Sequence, residues 1–129
     1  MKVTLLTAAV AAAALALPAA AEVALTPGQL EAAGYVFQGT ADCEFNQKVH
    51  VAPIAGKPGH FKLDFGKASY TVVPEETTTG AVRLEDKANG IVWLQIPAKS
   101  MLMNAKLGRR LVDSCLHPEQ RTAGVVASK

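Results

Sequence analysis

Apolar positions along this chain follow three patterns in succession. Residues 1–21 read Met1-Lys2, then an Ala/Leu/Val-rich run, then Leu17-Pro18-Ala19-Ala20-Ala21 ahead of Glu22. The next stretch, Thr26-Pro27-Gly28-Gln29-Leu30-Glu31-Ala32-Ala33-Gly34, carries the end signals of a short helix. Thr26 caps, Pro27 suits the first turn, Gln29 completes a capping box, and Gly34 offers a left-handed exit. From Tyr35 onward the period falls to two. Phe61, Leu63 and Phe65 alternate with Lys62 and Asp64, the signature of a half-buried strand. Phe45, Val49, Val51 and Ile54 form one run, and Tyr70, Val72 and Val73 another. Further apolar runs cover 81–84, 91–96, 100–103 and 107–112, with turn residues at 56–59, 74–80, 86–90, 97–98 and 104–106.

Short strands at that spacing predict an all-β fold, and a chain this small cannot cover two large sheets. The expectation is a small antiparallel barrel with a short N-terminal helix. A positive start, an apolar middle and a small-residue end make 1–21 a secretory signal cleaved near Ala21 and Glu22. The domain plan is therefore 1–21 signal, 22–34 arm with the short helix, 35–116 barrel, and 117–129 an aperiodic tail expected to be mobile. No Cys stands at the cleavage point, so the mature form is expected to lack a lipid or membrane anchor and to reside in the periplasm.

Export changes the reading of the cysteines. Cys43 and Cys115 are the only two, 72 positions apart. In an oxidising compartment such a pair reads most simply as one disulfide, worth roughly 4 kcal/mol on the chain-entropy model. A metal site or a catalytic thiol is the competing reading, but neither a CxxC motif nor an adjacent His accompanies them.

Charge narrows the partners. The formal net charge is +2, and it falls to +1 once Lys2 leaves with the signal. Basic residues are scattered apart from Arg109-Arg110, and aromatics are few, which argues against nucleic acid. His50, His60 and His117 lack metal-ligand spacing and read as surface or edge histidines. No serine lies in a nucleophile turn, and the pairs Glu75-Glu76 and Glu85-Asp86 flank turns where carboxylates are ordinarily solvated. The reading is a binding protein rather than an enzyme, with no cofactor.

One loop stands out. Pro74-Glu75-Glu76-Thr77-Thr78-Thr79-Gly80 is hydroxyl-rich and longer than a strand connection needs, and binding concentrates in such loops. The order of features around it is a Cys early in the first strands, then Gly66-Lys67-Ala68-Ser69-Tyr70-Thr71-Val72-Val73. The Thr-rich turn ending in Gly follows, then a strand with the single Trp93 and a last strand ending in Cys115. From Cys43 to Cys115 this order resembles the bacterial inhibitors of c-type lysozyme, in their membrane-bound and periplasmic forms.

That resemblance implies an eight-stranded antiparallel barrel, commonly carrying a disulfide. It also implies a c-type lysozyme as partner, whose catalytic carboxylates meet an S-x-S-G-A-x-Y loop and a Lys just after the strand Trp. Carried over position by position, Thr77, Thr78, Thr79 and Gly80 with Ala81 match the first motif, Thr replacing Ser. Thr79 keeps a hydroxyl for a carboxylate. Arg83 stands in the place of the motif's Tyr, and Gln95 in the place of its Lys, while Lys99 is the nearest substitute cation. The other reading keeps the barrel and changes the client to another envelope protein, a glycan, or a small apolar ligand at the barrel mouth.

Overall fold

The computed structural model describes residues 24–121. The expected signal at 1–21 and the last part of the tail, 122–129, lie outside the described residues. A helix α1 (Pro27–Ala33) is followed by eight strands: β1 (Gly39–Asp42), β2 (Lys48–Pro53), β3 (Phe61–Phe65), β4 (Ala68–Glu75), β5 (Val82–Asp86), β6 (Ile91–Gln95), β7 (Ser100–Asn104) and β8 (Arg109–Cys115). Every strand pairs antiparallel with the next, in the order β1 to β8. The sheet then curls back on itself. Asp42 N–H donates to the Leu116 carbonyl at 3.0 Å and Leu116 N–H returns to Asp42 at 2.8 Å, so a bridge joins the first strand to the end of the last. The result is a nearly closed eight-stranded barrel.

The disulfide Cys43–Cys115 sits one residue along from that bridge on each side. It therefore staples the seam, the one junction that a hairpin turn does not hold. Along β2, β3 and β5, alternate residues point inward. Val49 and Val51, Phe61 and Leu63, Val72, Leu84, Ile91, Trp93, Leu102 and Val112 are all buried in one cluster. Trp93 is fully buried at its centre, so the interior is a packed core rather than a ligand cavity. Fully burying one such side chain contributes about 1.5–3 kcal/mol.

The capping box on α1 is complete. Gln29 N–H donates to Thr26 Oγ1 at 3.1 Å, and Thr26 N–H donates to Gln29 Oε1 at 2.8 Å. Gly34 differs from expectation, with φ −68° rather than a left-handed exit. The chain instead tightens into i→i−3 bonds, Gly34 N–H to Glu31 O and Tyr35 N–H to Ala32 O, which need no positive φ. Pro74 lies inside β4, where β3 has already ended its pairing at Val72. Only β5 flanks the strand there, so a residue without an N–H is tolerated.

Three other expectations are corrected. Phe45, assigned by its apolar run to a strand, lies in a tight turn, Glu44–Asn46, at the tip of the β1–β2 hairpin and is exposed. Leu107, likewise read as strand, is exposed in the β7–β8 turn, and β8 starts at Arg109. The tail does not leave the barrel at 117. Residues 118–121 form a helical turn, and His117 and Gln120 are fully buried. His117 Nε2 donates to the Gly39 carbonyl at 3.1 Å and its ring meets Trp93 edge-on, with centroids 6.3 Å apart. Gln120 donates to Ile96 O at 2.9 Å and to Ser100 Oγ at 2.8 Å. His117 is thus not a surface histidine. Polar side chains that fill a barrel end leave no apolar period in the sequence.

Candidate functional site

The turn between β4 and β5 is built from its own hydroxyls. Thr77 Oγ1 donates to the Ala81 carbonyl at 2.6 Å, and Ala81 N–H donates to Thr79 Oγ1 at 3.4 Å. Gly80 has φ +79°, the left-handed geometry that glycine adopts without cost and that lets the chain reverse into β5. Thr77, Thr78, Thr79 and Gly80 are all exposed. The bond at Thr79 uses an acceptor lone pair and leaves the hydroxyl proton to donate outward.

Helix α1 braces the base of the turn. Gln29 Nε2 donates to the Pro74 carbonyl at 2.8 Å, and Thr26 Oγ1 donates to Glu76 Oε1 at 3.1 Å. The Glu76 carboxylate lies so close over Gly28 that a Cβ there would sit 1.6 Å from Oε1. A recess of about 630 Å³ opens between helix and turn, and its walls include Glu31, Tyr35, Glu75, Thr78 and Gly80. Glu75 is paired with Lys87 at 3.3 Å, whereas Tyr35 presents an aromatic that is 64% exposed. Sequence reasoning missed Glu31 and Tyr35. The one available sign was an aromatic directly after the helix exit at Gly34.

Arg83 is grouped with the turn. It faces outward between the inward-facing Val82 and Leu84, and it borders a second recess of about 480 Å³ together with Thr77, Thr78 and Thr79. Its Nε and Nη2 both donate to Glu85 Oε1, at 3.1 and 2.9 Å.

Gln95 and Lys99 are placed differently. Gln95 is 5% exposed. Its carbonyl accepts Phe37 N–H at 2.8 Å and its amide donates to Tyr35 O at 2.9 Å, so it ties the segment leaving α1 onto β6. Lys99 follows the tight turn closed by Ile96 N–H to Lys99 O at 2.9 Å. Its ammonium reaches Asp113 of β8 at 3.1 Å, on the side of β7 away from β5 and the threonine turn. Arg110 reaches the same carboxylate at 2.9 Å. The Ser114 N–H bond at 2.6 Å, followed by Lys99 and Arg110, holds the Asp113 carboxyl below its ordinary range despite burial acting the other way.

The hydroxyl turn and Arg83 thus share one face, with an acidic rim of Glu31, Glu75 and Glu76 beside it. Such a face can donate hydrogen bonds from hydroxyls and one guanidinium, and it can attract cations. Among the described residues no group of three or more His, Cys, Asp or Glu is placed to hold a metal ion, and no helix is long and apolar enough to cross a membrane. The chain matches no protein-family model, no curated protein and no solved structure.

Proposed function

We propose that this protein binds a c-type lysozyme and occludes its cleft with the 77–80 turn. Export through the 1–21 segment puts it in the periplasm in this reading, where an invading lysozyme is met. The observation that carries the reading is the bond from Thr77 to Ala81, which pre-orders an exposed hydroxyl turn on a stapled barrel. A turn already held in shape loses little conformational entropy on entering a groove. Thr79 then donates to an active-site carboxylate, and Thr78 and Arg83 add donors around it. The acidic rim of Glu31, Glu75 and Glu76 favours a strongly basic partner over a neutral one.

The test is lysis of a cell-wall suspension by a c-type lysozyme with the purified protein added in excess. The expected outcome is a lytic rate that falls with added protein and saturates near one equivalent. An unchanged rate, together with no heat of binding by calorimetry, rejects the reading for that enzyme.

One observation favours a second reading. The position where the resemblance calls for a cation is the buried Gln95, and Lys99 is paired elsewhere. Without that cation, the recess beside α1 becomes the stronger site. Its exposed Tyr35, carboxylates and hydroxyls are the groups that stack on and hydrogen-bond a sugar. Calorimetric binding of soluble cell-wall glycan that Tyr35→Ala abolishes, with lysozyme unaffected, selects this reading instead.

A further inference from the structure

Phe45 combines two features that folding of a single copy does not favour. It is 85% exposed, and its backbone sits at φ 55° and ψ 35°. That left-handed conformation costs a residue with a side chain roughly 1–2 kcal/mol. Asn46 follows at φ 58°, and Gln47 N–H returns to Glu44 O at 3.2 Å. Together they form the mirror-image turn that suits twisted hairpins, with an aromatic where Asn or Gly ordinarily sits. The tip is braced. Cys43 N–H donates to Gln47 O at 2.8 Å, Asp113 N–H donates to Glu44 Oε1 at 3.0 Å, and the disulfide starts from Cys43. The ring is therefore held out into solvent on a rigid support.

Beside this tip lies an open cleft of about 900 Å³. Phe65, Ala68, Tyr70 and Leu111 supply its apolar floor, Lys67 stands at its rim, and Gln47 forms the wall it shares with the hairpin tip. A protruding aromatic and an apolar cleft thus occupy one continuous patch. We infer that this end of the barrel is a self-association surface, in which Phe45 of one copy seats on the Phe65, Tyr70 and Leu111 floor of a second copy, and the reverse.

A knob and a hole on the same patch are what a twofold contact requires, because each surface meets its own copy. Charge agrees with that pairing. Among the described residues, Glu44, next to the knob, uses only Oε1 internally, and Lys67 at the rim has no ionic partner. In the twofold arrangement each Glu44 faces the other copy's Lys67. Area sets the strength. Two aromatic rings bury about 150–250 Å² each, well short of the roughly 1,200 Å² of a stable interface. The cleft rims have to supply the rest, so the dimer is reversible and depends on concentration. Consecutive antiparallel strands put the β1–β2 hairpin and the 77–80 turn at opposite ends of the barrel. Association leaves both threonine turns facing outward, and the inference does not depend on what they bind.

Sedimentation velocity across about two decades of protein concentration tests it. The wild-type mass is expected to rise from one copy towards two. Phe45→Asn is expected to stay monomeric and to melt no lower, because Asn accepts positive φ more readily than Phe. Lys67→Glu is expected to weaken association by about tenfold or more. A wild type that is monomeric at every concentration overturns the inference, as does Phe45→Asn or Lys67→Glu associating like wild type. A monomer that co-sediments with phosphatidylcholine vesicles only when Phe45 is present assigns the ring to a lipid surface and also overturns it.

Discussion

Lys99 lies 3.1 Å from Asp113, an ion pair that ties the β6–β7 turn to β8. An ammonium that neutralises a buried carboxylate on β8 leaves that ion pair only by uncovering Asp113. Lys99→Ala is therefore expected to act on stability rather than on binding. Its side chain is 37% exposed, so solvent screens the pair and the loss is about 0.5–1 kcal/mol. Denaturant titration reads that loss. The half-inhibitory concentration against lysozyme is expected to stay within about twofold, since less than 0.5 kcal/mol of binding is at stake. A tenfold rise would return Lys99 to the contact surface.

Gln95 gives the opposite case, a position that invites repair by analogy but resists it. Its two bonds to the Tyr35 and Phe37 backbone are made in a nearly dry environment. Gln95→Leu leaves a donor and an acceptor without partners and is expected to cost about 2–4 kcal/mol. Gln95→Lys, which restores the residue type the resemblance calls for, adds a charge to the same spot and is expected to cost at least as much. It is expected to bring no gain in inhibition. A stable Gln95→Lys variant with stronger inhibition would show that the segment 35–37 yields readily.

These two residues show where the sequence is legible and where it is not. Period-two alternation of Phe61, Leu63 and Phe65 located the inward face of β3, because a residue between two water-facing neighbours on a strand has only one buried side available. The Cys43–Cys115 pair is legible because only one pairing exists. Phe45 and Leu107 misled because apolar character marks a residue that can be buried, not one that is. Both sit within turns whose backbone directs the side chain outward. His117, Gln120 and Gln95 were illegible for the reverse reason. Each is a polar residue made compatible with the interior by partners 20 to 78 positions away. At the site, the 77–80 turn and Arg83 do share a face, since both belong to the β4–β5 connection. Lys99 does not join them, because which strand neighbour a long side chain reaches is a three-dimensional choice.

The threonines of the turn have separable roles. Thr77 shapes the turn through its 2.6 Å bond to Ala81, while Thr79 keeps a proton for a partner. Thr77→Val preserves volume and removes that bond, so it is expected to loosen the turn and to weaken inhibition by about 1 kcal/mol, or roughly fivefold. Amide exchange at Ala81 is expected to speed up in this variant. Thr79→Val is expected to weaken inhibition by a similar or larger factor with Ala81 exchange altered less. The comparison of exchange with inhibition separates the two. Equal exchange in both variants would dissolve the distinction.

The seam makes a prediction about where the barrel opens first. β1 meets the end of β8 through one backbone bridge at Asp42 and Leu116, the adjoining disulfide, and the side-chain bonds of His117 to Gly39 and Arg121 to Asp42, whereas consecutive strands share a connection and a ladder of three or more residue pairs. Cys43→Ala combined with Cys115→Ala is expected to lower stability by roughly 2–4 kcal/mol. Hydrogen exchange is expected to rise earliest at the Asp42 and Leu116 amides, with Leu63 and Trp93 amides protected until global unfolding. Uniform acceleration at all four would mean that the disulfide acts on the whole fold and not on the seam.

Acid is expected to loosen the barrel in two stages, and His117 sets the first. Burial pushes its pKa below the ordinary value of 6.5, outweighing the bond to Gly39 and the nearby Glu119, while His50 pushes the same way as burial. The neutral ring donates Nε2–H to Gly39, and a second proton would put charge between Trp93 and Phe37. The unfolded chain takes up this proton from about pH 6.5 downward and the folded chain resists it, so stability is full above that value and declines as pH falls through it. The second stage involves Asp113 and Asp42. The bond from Ser114 lowers the first carboxyl and the bond from Lys48 lowers the second, so their contribution is present above the unfolded value of 3.8 and is lost below it. Melting temperature measured against pH is expected to fall from pH 6.5 towards 5 in the wild type, then again below 4. His117→Phe keeps an aromatic against Trp93 and cannot titrate, so it is expected to have a lower but flat profile across the upper interval. If the variant keeps the upper slope, the first stage belongs to a group other than His117.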